Sequence, residues 1–256
     1  MKKKCNRNLI IYELRNLNGN IMPHFFGIVF PNLMCLLLSR TIGGQASPEV
    51  QTQINTSLML TMALIMPMAI MLLGYGCLYS SEIEKGIPLR MRLFGFDPMG
   101  EMTAKIIAHL IFLTLAFLLF GLFQALVMGV QRPAPASFLC LMVSLYLLGI
   151  IFLIIAHAIA NIVQKFSVTF AITMFLYFIF MILTGMMGIR TDQLPTVLQK
   201  IAATLPMTYI SSDFIDFWQG GSYNFMPFLQ SFLFLGALSG ILLLYSLYRN
   251  KRRVGS

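Results

Sequence analysis

Apolar residues in this chain run in long unbroken blocks, with little of the one-face spacing that marks a helix on a water-facing surface. Six blocks stand out: Ile21–Ser39, Ser57–Tyr79, Ile106–Val130, Ser137–Gln164, Phe166–Ile189 and Phe228–Tyr248. Each is near or above the ~20 residues that a helix needs to cross ~30 Å of hydrocarbon. In a bilayer only helices and closed barrels satisfy every backbone N–H and C=O, and blocks this long and continuous favour helices. The pattern predicts an all-α polytopic membrane protein with six transmembrane helices. All 18 Lys and Arg and all nine Asp and Glu fall outside the six blocks, so no formal charge is expected to be buried in lipid.

The intervening segments have patterns of their own. In residues 7–18, Ile10, Leu14 and Leu17 recur at helical spacing while Arg7 and Arg15 lie off that stripe. This predicts a short amphipathic helix ended by Asn18-Gly19, lying flat on the membrane surface. The stretch between the first two blocks, "RTIGGQASPEVQTQINT", reads as a short polar loop, and Pro23, Pro31 and Pro67 as kinks within their helices. "GALSG", Gly236 to Gly240, has the spacing of a helix-packing site. Segment 190–227 is long for a connection and is not plainly polar. Leu194, Val197, Leu198, Ile201 and Leu205 recur at helical spacing, with Tyr209, Phe214, Phe217 and Trp218 as aromatic anchors. Two short amphipathic helices split by Pro206 are expected there. The chain thus divides into an N-terminal segment 1–20, a transmembrane domain 21–248 and a basic tail 249–256.

Composition agrees: 58% of residues are hydrophobic and mean hydropathy is +0.80, beyond the range of soluble domains. Fourteen of the 18 Lys and Arg fall on the side shared by both termini and by the loop after the second block. By the positive-inside rule both termini are expected in the cytoplasm of a multi-pass protein of the cell membrane. The net charge of +9 is then that bias plus attraction to anionic membrane lipid, and not a nucleic-acid-binding face. The first block starts after residue 20 and ends in "LLLSRTIGG" without a small-residue cleavage pattern, so it is read as retained. Cys5, Cys35, Cys77 and Cys140 are scattered without a C-x-x-C, which suggests neither a disulfide framework nor a metal site.

Candidate chemistry is sparse. His157 and Asn161 are one helical turn apart, the spacing used by one class of Glu/His intramembrane proteases. Those enzymes need an adjacent glutamate pair within a helix to activate water. Here Glu82 and Glu84 alternate and lie outside any block. His109 falls near the expected depth of His157 and, like it, reads as a packing histidine. Asn32, Gln124 and Asn161 are the intramembrane amides, either lining a polar path or bridging helices. No catalytic residue is assigned, and no phosphate-cradling G-x-x-x-x-G-K-[ST] is present, so uphill work would need another polypeptide. A stand-alone channel, or a protease built on His157 and Asn161, is the alternative reading.

The remaining signal is one charged run in a greasy chain, "YSSEIEKGIPLRMRLFGFDPMGE" at 79–101. Gly86 and Pro88 break the helix that arrives there, and Asp97-Pro98 turns the chain again. Between them Leu89, Leu93 and Phe94 mix with Arg90 and Arg92, a composition suited to a partner's groove. "SEIEKGIPLRMRLFGFDPMGEMTAKII" resembles the cytoplasmic segment of ABC-2 type transporter permeases, and "LPTVLQKIAATLPMTYISSDFIDFWQGG" resembles the segment that precedes the last span in that family. The six-span layout and amphipathic N-terminus extend the resemblance over essentially the whole chain. Gly86-Ile87 followed by Pro88 departs from the family's common Gly-Thr. The resemblance implies a membrane subunit of an ATP-driven exporter. With 22 Phe and 19 Met in the chain and few polar residues in the spans, a lipophilic or amphipathic cargo (a drug, an antimicrobial peptide or a lipid-linked molecule) is easier to accommodate than a sugar. A second permease subunit, identical or different, would complete the pathway. Two copies of a cytoplasmic ATPase subunit would hold ATP and Mg, with no cofactor in this chain. Glu82, Glu84, Lys85, Gly86, Leu89, Arg90, Arg92, Leu93 and Phe94 would form the ATPase contact, and Pro206, Tyr209, Phe214, Phe217 and Trp218 an external gate.

Overall fold

The computed structural model describes residues 5–44, 46–188 and 191–254. Lys2, Lys3, Lys4 and Arg190, counted above for orientation, lie outside it. The described residues are helical apart from turns and short connections. Helix α1 is Arg7–Asn18, capped by the Asn6 side chain accepting from the Leu9 N–H at 2.9 Å. Six helices long and apolar enough to cross a membrane follow: α2 (Ile21–Gly43), α3 (Pro48–Glu84), α5 (Pro98–Met128), α6 (Pro135–Val163), α7 (Phe166–Leu183) and α11 (Phe225–Asn250, its last turns running on to Val254). Between α3 and α5 lies the short helix α4 (Ile87–Leu93), and between α7 and α11 lie α8 (Thr196–Ala202), α9 (Pro206–Ser212) and α10 (Phe214–Trp218).

The second crossing differs from expectation in length. The polar stretch before it is mostly helix, so α3 begins at Pro48 instead of near residue 57 and runs for 37 residues. Two of its polar residues, Gln51 and Asn55, find partners in neighbouring helices. Gln51 donates to Ser39 Oγ at 2.8 Å, Ser39 donates to Asn55 Oδ1 at 2.6 Å, and Asn55 donates to the Met128 carbonyl. The fifth crossing is shorter than its block, ending at Leu183.

Helix α3 is the axis of the bundle. About 83% of its most apolar stretch is buried, against 22–50% in the other five crossings. Because lipid is as apolar as leucine, burial of apolar area alone does not hold such helices together; close packing and hydrogen bonds must. Pro67 removes a backbone donor, and α3 responds with a turn at Leu64 and a wide π-type stretch at Met68–Gly74. A second π-type stretch, Phe25–Val29, lies in α2 between Pro23 and Pro31. The two irregular stretches meet at Gly27, where a Cβ would stand only 2.7 Å from Ile70 Cγ1. Glycine is therefore required for that approach. At Gly236 and Gly240, by contrast, no atom lies within 4 Å of a Cβ position, so the G-x-x-x-G packs against nothing within the described chain.

Helix α1 does not pack through the stripe expected of it. Leu9, Glu13 and Leu17 are its buried positions, with Ile10 and Leu14 only half-buried, and it lies against α5. A glutamate thus sits in the middle of the buried face, and its partner explains why.

Candidate functional site

The elbow between α3 and α5 is set by two glycines. Gly86 closes α3 with φ +67° and Gly95 closes α4 with φ +83°, both in the left-handed region that side chains disfavour. At the end of α4 the Gly95 N–H bonds the Arg92 carbonyl and the Phe96 N–H bonds the Met91 carbonyl, each at 3.0 Å, which is the Schellman arrangement. Pro88 sits in the first turn of α4 and Pro98 in that of α5, where a missing donor costs nothing. The corner predicted from Gly86, Pro88 and Asp97-Pro98 is present.

Helix α4 buries no side chain. Leu89 is 63% exposed, Leu93 79% and Phe94 71%, with Lys85, Arg90 and Arg92 exposed around them. The Arg90 guanidinium also donates to the Lys85 carbonyl across the corner. Glu84 is exposed but engaged: its carboxylate accepts from the Phe166 N–H at 2.7 Å and so caps the start of α7.

Glu82 needs a correction. Expected at the docking surface, it is 3% exposed and points into the bundle, where Asn16 of α1 donates to it at 2.6 Å. Lys105 reaches the same carboxylate at 2.7 Å, Glu13 of α1 at 2.7 Å and Glu101, one turn earlier in α5, at 3.7 Å. One ammonium therefore joins the N-terminal helix, the end of the second crossing and the start of the third, immediately behind the elbow. Glu82, Glu101 and Lys105 lie outside the six apolar blocks, as read from the sequence, but the crossing helices run on beyond those blocks and bury all three against protein. A single cation does not neutralise three carboxylates. Burial pushes the Glu13 carboxyl up to about 7, against the opposing pull of Lys105.

Beside this cluster a cavity of 740 Å³ opens between the elbow, α5, α6 and α11. Exposed Arg92 and Met99 line it together with the buried Glu101, Tyr75, His157 and Asn161. His157 Nδ1 is hydrogen-bonded to the Tyr75 hydroxyl at 2.7 Å, and the Tyr79 ring stacks on the imidazole with centroids 4.8 Å apart. Tyr79 donates weakly to Asn161 at 3.4 Å, and Asn250 of α11 donates to the same amide oxygen at 3.3 Å. His109 is fully buried, donates through Nδ1 to the Lys105 carbonyl at 2.8 Å, and meets the Tyr75 ring edge-on at 5.1 Å. The two histidines share one tyrosine, and each is paired with a neutral group. Among the described residues no three His, Cys, Asp or Glu side chains are grouped to hold a metal ion.

The other intramembrane amides do different things. Asn32 donates to the Ile28 carbonyl of its own helix at 2.8 Å, while the Gln124 amide is fully buried beside the Cys35 thiol. At the far end of the bundle the expected pair of helices is three, and the aromatic anchors are largely packed. Pro206, Phe214 and Trp218 are buried, and Tyr209 and Phe217 half-buried. The Trp218 indole donates to the Gln131 carbonyl at 3.1 Å, Tyr209 donates to Ala203 at 2.8 Å, and Phe214, Phe217, Tyr223 and Phe225 form a continuous ring cluster.

Sequence reasoning missed Glu13, Asn16, Glu101 and Lys105. One signal was available: Leu9, Glu13 and Leu17 recur every four residues, which places an acid on an apolar stripe and implies a buried cation. Nothing local identified Lys105 as that cation.

A family model described as ABC-2 type transporter matches residues 12–214. No curated protein and no solved structure gives a match.

Proposed function

The chain belongs to the ABC-2 type transporter family, and on that premise we propose that it is the permease subunit of an ATP-driven exporter, worked from outside the bilayer through the α4 elbow. As a multi-pass ABC transporter permease it needs an energy source, and an ATPase carried on a separate chain, with ATP and Mg bound there, supplies it. The observation that carries this reading is the elbow itself. A seven-residue helix with no fully buried side chain, exposing Leu89, Leu93 and the adjoining Phe94 among arginines, offers an apolar surface that its own chain leaves uncovered.

The mechanical link is short. Push on α4 reaches the Gly86 and Gly95 corners, then the Lys105 cluster, which ties α1, α3 and α5 into one body. Pro88 and Arg92 of the elbow also wall the cavity that Leu244 and Leu247 of α11 wall from the other side. Displacement of the elbow against α11 would change the width of the cavity mouth. ATP binding in two ATPase copies, each gripping one elbow of a permease pair, shifts the population between states in which that mouth is open and closed. With the positive-inside orientation the elbow faces the cytoplasm, and the cavity receives lipophilic or amphipathic cargo there.

The test uses Leu93→Asp with Phe94→Ser, purified together with the ATPase. We expect unchanged melting of the permease alone and loss of at least tenfold in ATPase co-purification. Retention of the complex with full stimulation of hydrolysis by the permease would overturn the docking role.

A further inference from the structure

A second cavity, of 630 Å³, lies on the flank of the bundle between α6, α7, α11 and the short helix α8. Its floor is Ile155, Ile159, Leu205 and Leu235, all buried, and its open lip includes Val197, Ile201, Phe234 and Leu238. The volume lies within the ~300–1,000 Å³ typical of small-ligand sites. The slot is elongated along the bundle: Phe234 and Leu238 to Leu242 on α11 alone are two helical turns, about 12 Å. It opens sideways, between the fifth and sixth crossings, in the direction a bilayer would occupy. Two side chains break its apolar lining, Lys200 and Thr204, one turn apart on and just after α8, and no acidic residue lines it.

We propose that this slot binds one anionic lipid, with an acyl chain along the α6 and α11 floor and the headgroup charge paired by Lys200 at the end of the bundle opposite the elbow. An elongated cavity that is apolar apart from Lys200 and Thr204 matches a hydrocarbon chain. A cation at one end only, at the level of the helices that cap the bundle, matches an amphiphile whose charge is at one end. A second copy of the chain fits less well. A two-fold contact through this face would bring two Lys200 ammoniums into an interface whose lining holds no carboxylate. The inference requires neither ATP coupling nor a transport direction.

The purified chain in detergent is titrated with phosphatidylglycerol, with phosphatidylcholine of the same acyl chains, and with glycerol phosphate, and bound molecules are counted by native mass spectrometry. One phosphatidylglycerol is expected to be retained at roughly fivefold lower concentration than phosphatidylcholine, from one Lys–anion attraction. Glycerol phosphate, which has the charge without the chain, is expected not to bind. Lys200→Gln is expected to erase the preference between the two lipids. Leu238→Trp on α11 and Ile201→Trp on α8, both at the exposed lip, are expected to weaken both lipids while melting stays unchanged. Equal retention of the two lipids, or a preference that survives Lys200→Gln, would overturn the proposal. So would an intermolecular crosslink specific to Leu238→Cys, which would show a second copy seated on this face. No ATPase is present in the experiment, so its outcome is separate from that of the elbow variants.

Discussion

The two ends of the bundle are held together by different forces. Behind the elbow, three helices converge on one buried ammonium shared among Glu13, Glu82 and Glu101. At the opposite end, α2, α3, the end of α5 and the loop after it are joined by neutral groups: Ser39, Gln51, Asn55 and the Met128 carbonyl, with Thr56 accepting from the Gln131 N–H at 2.9 Å. A charge pair in a low-dielectric site is strong but fails badly when one partner is lost, whereas neutral amide bonds fail by smaller steps. The charged joint lies next to the segment proposed to receive force from a partner, and the neutral joint next to an aromatic cluster that packs like a core.

The largest expected effect is at the charged joint. Lys105→Met leaves buried carboxylates without a cation and is expected to cost about 3–5 kcal/mol, read as a fall in melting temperature and in folded yield. If Lys105→Met melts like the parent chain, the two ends are not fastened differently. At the neutral joint Asn55→Leu removes a donor from the Met128 carbonyl and an acceptor from Ser39 and Gln51. About 1–3 kcal/mol is expected from the same measurement. A loss equal to that of Lys105→Met would erase the contrast.

The smallest effect sharpens the comparison by pH. The carboxyl of Glu13 is raised from an ordinary 4.5 to about 7 by burial, so the docked α1 favours the protonated acid. Its contribution to docking is complete below about 4.5 and is lost as pH rises through about 7. Amide exchange in α1, corrected for intrinsic rates, is therefore expected to speed up across that window, and Glu13→Gln to flatten the change. The amides of α3 near Asn55 are expected to show no such dependence. Matching pH profiles at the two ends would refute an electrostatic distinction between them.

How much of this was legible beforehand follows from the range of each interaction. The blocks of apolar residues located all six crossings, because the requirement to span hydrocarbon is written in consecutive residues. Their ends were harder to place. The stretch at 48–57 looks like a loop because its polar side chains need partners, and those partners come from Ser39 and Met128, distant in sequence. The elbow was legible in detail, since Gly86, Pro88, Gly95 and Pro98 act on their own backbone. The charges around it were not. Glu82 and Glu84 read as a pair, yet one turns inward to Lys105 and the other outward to cap α7.

By itself, then, the sequence determined a helical membrane protein with six crossings, a broken corner after the second and aromatic-rich helices before the last, because each rests on local composition or backbone chemistry. Only the tertiary structure decided which charges are buried, that the third crossing's Lys105 holds the first helix, that two histidines share Tyr75, and that an apolar slot opens under Lys200. Those features join residues tens of positions apart, and no pattern along the chain encodes which side chains a folded bundle will bring within hydrogen-bonding distance.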